Sequence, residues 1–214
     1  MTEPVLRSRV FRGLPPHPAG LRVGLYGGSF NPAHAGHRHV SLLALRRLSL
    51  DQVWWLVTPG NPLKMTGGLP PQRERMAQAA AVARHPRIAV TGLEAEIGTR
   101  FTADLVAWLA ERLPLVRFVW IMGSDNLCQF DRWERFEAIA GTVPLAVVNR
   151  PGSLAAPLAA RAAHRLARWR IPEAESHVLA DLAPPAWVYL TGPRTRLSST
   201  AVRSSTSPPR IVAS

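Results

Sequence analysis

The chain has 214 residues and one cysteine, Cys128, which excludes an internal disulfide and a cysteine-based zinc site and fits a reducing, cytoplasmic setting. It also lacks any apolar stretch near the ~18 uninterrupted residues of a membrane span. Its apolar runs are short and broken by Pro and Gly, so a soluble chain is expected. Residues 1–20, MTEPVLRSRVFRGLPPHPAG, are basic and have no apolar block of the roughly 7 to 15 residues that a secretory signal needs. They are read as a flexible arm. Acidic residues are scarce, 14 Asp+Glu against 26 Lys+Arg, and a net charge of +12 attracts polyanions. The arginines, Arg46, Arg47, Arg84, Arg87, Arg161, Arg165, Arg168 and Arg170 among them, are scattered and not interleaved with aromatics as in a base-stacking platform. The charge is therefore read as general arginine-rich composition plus attraction for phosphorylated substrates. A basic nucleic-acid-binding module is the non-enzyme alternative. No internal repeat and no linker long enough to separate two domains is visible.

What is present is an alternation. Leu21 to Tyr26 (LRVGLY) is a buried-strand run entering a glycine turn, and Val40, Leu43, Ala44 and Leu48 recur at helical spacing from His34 to Leu48. Gln52–Thr58 reads as strand, Pro71–Arg84 as helix, Arg87–Thr91 as strand, and Phe101, Leu105, Trp108 and Leu109 mark a helix to Arg112. Val116–Met122 is strongly β-like, Asp125–Ala140 is a broken helical stretch, Val143–Asn149 a strand, Leu154–Arg170 an alanine- and arginine-rich helix, and Trp187–Thr191 a last strand. Near-continuous apolar strands separated by helices predict an α/β fold. It is a Rossmann-like, doubly wound parallel sheet in a single domain over residues 21–203, with ligands at the carboxyl ends of the strands. Residues 204–214, SSTSPPRIVAS, are expected to be a disordered tail.

The segment GGSFNPAHAGH, residues 27–37, stands where the first strand hands over to the first helix, a position where backbone amides and the helix dipole favour phosphate. Gly27 and Gly28 permit close approach and unusual backbone angles, Pro32 fixes a bend, and Gly36 keeps the space between His34 and His37 clear. Neither GxGxxG nor GxxxxGK[ST] spacing is met, so those two phosphate modes are excluded. His34 and His37 lie three apart, which puts both imidazoles on one side of a helix start, able to donate to phosphate oxygens together. The bland alternative is a surface pair or half a metal site. His17, His39, His85, His164 and His177 form no matching cluster, so no protein metal ligand is predicted.

With these residues in view, the chain resembles the HxGH nucleotidyltransferases, in which an adenylyl or cytidylyl group passes from a nucleoside triphosphate to a phosphate acceptor. Their second signature, ISSTxxR near the C-terminus, corresponds to Leu197-Ser198-Ser199-Thr200-Ala201-Val202-Arg203. Hydroxyls and amides at a helix start with a bidentate arginine can hold the β- and γ-phosphates of ATP. Between the two motifs the chain is similar to the bacterial nicotinate-nucleotide adenylyltransferases. Pro59-Gly60-Asn61-Pro62-Leu63-Lys64 resembles their PxNxPxK/R loop, and Arg100-Phe101-Thr102-Ala103-Asp104 their RxSYT-type segment. Gly123-Ser124-Asp125-Asn126-Leu127 with Trp133 resembles GxDxLxxxxxW, and Asn149-Arg150-Pro151-Gly152 the RPG ending.

That resemblance implies transfer of the adenylyl group of ATP, accompanied by Mg2+, to nicotinate mononucleotide, giving deamido-NAD and pyrophosphate. It assigns His34, His37 and Arg203 to catalysis, and Gly27, Gly28, Ser29, Phe30, Gly36, Gly123, Ser198, Ser199 and Thr200, with those three, to ATP. Asn61, Lys64, Thr102, Asp125, Trp133 and Arg150 fall to the mononucleotide: Trp133 stacked on the pyridine ring, Thr102 near the nicotinate carboxylate, Asp125 on a ribose. Individually each has a plain alternative, such as a helix cap, a solvated loop charge or a core tryptophan. The joint order along the chain is what favours the site. Pantetheine-phosphate adenylyltransferase, which usually has Thr in place of His34, a cytidylyltransferase, and an amidated acceptor are the rivals; oligomeric state is left open.

Overall fold

The computed structural model describes residues 11–60, 69–149 and 157–191. Six strands form one sheet in the order β3-β2-β1-β4-β5-β6, every neighbouring pair parallel. They are β1 (Arg22–Gly28), β2 (Gln52–Val57), β3 (Ile88–Thr91), β4 (Arg117–Gly123), β5 (Leu145–Val148) and β6 (Trp187–Leu190). The α-helices among the described residues are α1 (Ala35–Arg47), α2 (Gln72–Ala83), α3 (Leu93–Ile97), α4 (Thr102–Arg112), α5 (Ser124–Leu127), α6 (Phe136–Thr142) and α7 (Arg161–Arg165). This is the α/β doubly wound architecture that the alternation of apolar runs predicts.

The sheet is buried on both faces because strand residues alternate sides, and each face has its own core. Val23, Leu25, Trp54, Leu56, Trp120 and Val147 pack with Leu105, Leu109 and Ile139 of α4 and α6. Tyr26, Val53, Trp55, Val119, Ile121 and Val188 pack on the opposite face with Val40, Leu43 and Ala79 of α1 and α2. Strands covered on both sides have no polar face to show, which is why VWWLV and FVWIM read as unbroken apolar runs. Strand order reverses between β1 and β4. Their register, Tyr26 against Ile121, brings Gly28 and Gly123 to neighbouring carboxyl ends at that switch point.

Three expectations change. Residues 11–20, read as part of a flexible arm, are packed down over α3 and α4. Glu96 accepts hydrogen bonds from the backbone N–H groups of Arg12 and Gly13 at 2.8 and 2.7 Å, and Phe11 meets Trp108 edge-on at 4.9 Å beneath the Arg112 guanidinium. Residues 1–10 and 204–214 lie outside the described residues. The helix read over Leu154–Arg170 is, from residue 157 onward, only the five residues of α7 between two 3-10 turns, Pro157–Ala159 and Ala167–Trp169. Finally, α3 and a 3-10 segment, Glu173–Asp181, stand where no element is read from the sequence. Among the described residues no helix is long and apolar enough to cross a membrane.

Candidate active site

The β1–α1 turn sits at the switch point and ends in α1, a helix of 13 residues with no acidic side chain in its first turn. Such an N-terminus presents unneutralised N–H groups and the positive end of the helix dipole. His34 is its N-cap, with extended backbone, and its Nδ1 accepts the N–H of Gly36 at 3.1 Å. In return the N–H of His34 donates to Nδ1 of His37 at 3.2 Å. This is the reciprocal capping box usually made by Ser or Thr with Glu, here made by two imidazoles. Because a backbone N–H occupies Nδ1 in each ring, the neutral form of each carries its proton on Nε2. The capping geometry thus fixes the tautomer in which Nε2 is a donor.

The rings stand 3.9 Å apart, centroid to centroid, and both side chains are largely buried. His37 is seated against Phe30 at 4.8 Å and Tyr26 at 6.0 Å. Phe30 stacks on Trp55 at 4.9 Å, and the Trp55 indole donates to Ser41, whose hydroxyl donates to the carbonyl of His37. The histidine pair is therefore held by the core. Phe30 adopts φ +47°, the left-handed region, whereas Gly27 and Gly28 do not. The expectation of unusual angles at the glycines is corrected: the turn places its strain on Phe30, which is buried and held by packing. Gly27 is small for another reason, since a Cβ there would lie 2.7 Å from the Trp120 ring.

Next to it, β4 ends at buried Gly123, and Asp125 is exposed in the first turn of α5. Trp133 is half-buried, edge-on to Trp120 at 6.2 Å and to Phe130 at 5.4 Å. Thr102 opens α4, and Asp104 in that same turn is paired with Arg135, two residues past Trp133. So the ion pair ties the start of α4 to the Trp133 segment. Ser29 and Gly36 follow β1, Gly123 ends β4 and Asp125 follows it, whereas Thr102 comes after α3 and Trp133 after α5. Asn61, Lys64, Arg150, Ser198, Ser199, Thr200 and Arg203 lie outside the described residues. The described part also contains no group of three or more His, Cys, Asp or Glu side chains suited to a metal ion.

Two buried charged residues here were not picked out from the sequence. Arg75 of α2 is fully buried and donates to four backbone carbonyls around the β1 and β2 ends. A signal existed: Arg75, Ala79 and Ala83 form the buried stripe of α2, so an arginine stands where the pattern calls for an apolar residue. Glu94 of α3 is also buried, and burial pushes its carboxyl up to about 7, opposed by a hydrogen bond with Thr58. No periodicity reveals it, because α3 is only five residues long.

Comparison with known proteins gives three consistent findings. Residues 25–205 match the family described as cytidylyltransferase-like. A protein of Methylorubrum extorquens, named "Probable nicotinate-nucleotide adenylyltransferase", is 61% identical over 185 residues, covering 86% of this chain and 100% of the relative. One of a Bradyrhizobium species with the same name is 58% identical over 86% of this chain and 96% of its own length. Among solved structures, the Plasmodium falciparum nicotinic acid mononucleotide adenylyltransferase complexed with NaAD superposes with a TM-score of 0.63 over 86% of this chain and 83% of that one. At 18% identity it speaks for the fold.

Proposed function

The chain belongs to the cytidylyltransferase-like family, and we propose that it transfers the adenylyl group of ATP to nicotinate mononucleotide, forming deamido-NAD and pyrophosphate. It is a nucleotidyltransferase of NAD biosynthesis. The observation that carries this is 61% identity, over the relative's whole length, to the Methylorubrum extorquens protein named "Probable nicotinate-nucleotide adenylyltransferase". The geometry adds the reason: a helix start capped by two imidazoles, at the switch point of a parallel sheet, offers donors where a triphosphate would lie.

In the reaction an oxygen of the acceptor phosphate attacks the α-phosphorus of ATP. The new P–O bond forms as the bond from the α-phosphorus to the bridging oxygen breaks, and that oxygen leaves on pyrophosphate. Since the acceptor is already anionic, no protein nucleophile is required. The protein's work is to align two anions and to meet the charge that builds on the departing group. His34 and His37 act through their Nε2 protons, joined by Arg203 and by the Ser198, Ser199 and Thr200 hydroxyls. ATP would enter as its magnesium complex, the cation offsetting charge on the phosphates. Gly27, Gly28, Ser29, Phe30, Gly36 and Gly123 form the donor side. Asn61, Lys64, Thr102, Asp125, Trp133 and Arg150 serve the mononucleotide, Trp133 supplying a face for the pyridine ring. A cytoplasmic setting fits the single cysteine.

The test is pyrophosphate release from magnesium-ATP with nicotinate mononucleotide, nicotinamide mononucleotide or phosphopantetheine as acceptor. The nicotinate compound is expected to give the highest kcat/KM. Turnover of none of the three overturns the reading, and preference for phosphopantetheine moves the chain to another branch of the family.

A further inference from the structure

We propose that Arg75 is a positioning residue that locks the connection leaving β2 to the nucleotide turn leaving β1, so that acceptor and donor are held in one register. The proposal rests on the reading above and deepens it. The Arg75 side chain is fully buried, and its three nitrogens address three different stretches of chain. Nη1 donates to the carbonyl of Ser29 in the β1–α1 turn at 2.6 Å. Nη2 donates to Thr58 and Pro59, where the chain leaves β2, at 2.9 and 3.3 Å. Nε donates to Pro70, where the chain comes back to enter α2, at 2.9 Å. Both feet of the β2–α2 connection and the nucleotide turn are thereby fixed to one planar group.

Among the described residues this guanidinium makes no ion pair, and the four partners it donates to are all neutral carbonyls. Burying an ion without an ion-pair partner is unfavourable before its hydrogen bonds are counted, and an apolar side chain on the 75-79-83 stripe would fill the space without that penalty. Simple attachment of the two strand ends is already provided, because the N–H of Thr58 donates to Gly28 and the Gln72 amide to Val57. What those bonds do not do is reach Ser29 and Pro70 together. A fork of fixed geometry does, and a lysine, with one nitrogen, does not. On the reading above, Ser29 lies within the turn that takes ATP, and Thr58 and Pro59 stand just ahead in sequence of Asn61 and Lys64, which that reading gives to the mononucleotide. Displacements of about 1 Å between reacting groups cost as much as 10²-fold in rate. A clamp at this point therefore acts on kcat more than on the binding of either substrate by itself.

The experiment uses the full-length protein, Arg75→Lys, and two measurements. In steady-state turnover with magnesium-ATP and nicotinate mononucleotide, the variant is expected to lose roughly 30- to 100-fold in kcat. Each substrate, titrated alone by calorimetry with a methylene-bridged ATP analogue standing in for ATP, should bind within about threefold of wild type. In wild type, saturating nicotinate mononucleotide should tighten the analogue by about fivefold or more, the size of an ordinary coupling between sites. That factor should fall to about one in Arg75→Lys. A folded variant with wild-type kcat, or one that only melts earlier while kcat holds well below its Tm, overturns the proposal. So does absence of the coupling in wild type, which decides the matter even if the variant fails to fold. Wild-type turnover of nicotinate mononucleotide separates this from the reading beneath it: without it the activity assignment falls, and with it only the clamp is at stake.

Discussion

At position 34 the helix needs an acceptor, which Nδ1 supplies, and the proposed reaction needs a donor, which on that proposal is Nε2 of the same ring. Nδ1 takes the Gly36 N–H and Nε2 keeps its proton. The two duties separate by substitution. In His34→Asn the amide oxygen can still accept at the helix start, so Tm should stay within about 2 °C of wild type while kcat falls by roughly 10²- to 10³-fold, the scale of losing one preorganised donor. His34→Ala removes the cap as well and should cost about 1 kcal/mol in addition. Denaturant melts and turnover on both variants check this; equal melting of the two, or near-normal kcat in His34→Asn, contradicts the dual role. His37→Ala should lower kcat by ~10²-fold or more with the fold retained, as circular dichroism and turnover would establish. The histidine pair was legible in the sequence because a spacing of three at a strand-to-helix junction sets direction without tertiary information. The strain at Phe30 was not, since the left-handed angle is imposed by packing on Trp55 and His37 and glycines two and three residues earlier look like the natural place for it.

Element α3 joins the packed N-terminal segment to the site, with Glu96 turned to the Arg12 and Gly13 amides and Glu94 buried near Thr58. Removing the first contact by Glu96→Ala should cost roughly 1.5–3 kcal/mol, the range for hydrogen bonds to a charged group, read from urea melts. Glu94 makes stability depend on pH. Its folded carboxyl titrates near 7 against 4.5 for the free group, so the folded state holds the proton more tightly. The contribution is fully present below about 4.5 and is lost as pH rises through about 7. Glu94→Gln, which mimics the protonated form, should therefore exceed wild type by roughly 2–4 kcal/mol at pH 8, with the gap closing toward pH 4.5. Parallel melts across that range decide it, and a constant gap would show that the carboxyl does not titrate there. A helix of five residues gives too little periodicity to be read from sequence, which is why α3 went unseen. Around α7 the opposite error arose: alanine and arginine favour helix intrinsically, yet the extended backbone at Ala160 starts a new element and burial of Ala162, Ala163 and Leu166 decides its length.

For the whole molecule, strand order and site location follow from one another: in a parallel sheet whose strand order runs outward in opposite senses from β1 and β4, a crevice is left between their carboxyl ends, and both glycine-ended strands open into it. That much was legible because strands buried on two faces are unmistakable in sequence. The ion-pair pattern was not, since it depends on distant residues. Asp181 takes both Arg22 and Arg117, which begin β1 and β4 at the end of the sheet opposite the site, and Glu173 takes Arg47. Even so, 26 basic side chains against 14 acidic ones leave a net +12, and a field of that sign draws in a polyphosphate before any specific contact is made. Such long-range attraction is screened, whereas contacts inside a water-poor site are not. Raising salt from 0.01 to 0.1 M shortens the screening length from about 30 Å to about 10 Å. Over that interval KM for ATP should climb by roughly three- to tenfold while kcat, which the proposed mechanism assigns to Nε2 donors among buried side chains, should change by less than about twofold. Steady-state kinetics in potassium chloride at fixed free magnesium measures both. A flat KM would mean that the excess arginines contribute nothing to substrate capture, and a kcat that fell in step with it would place the screened charges at the reacting phosphates themselves.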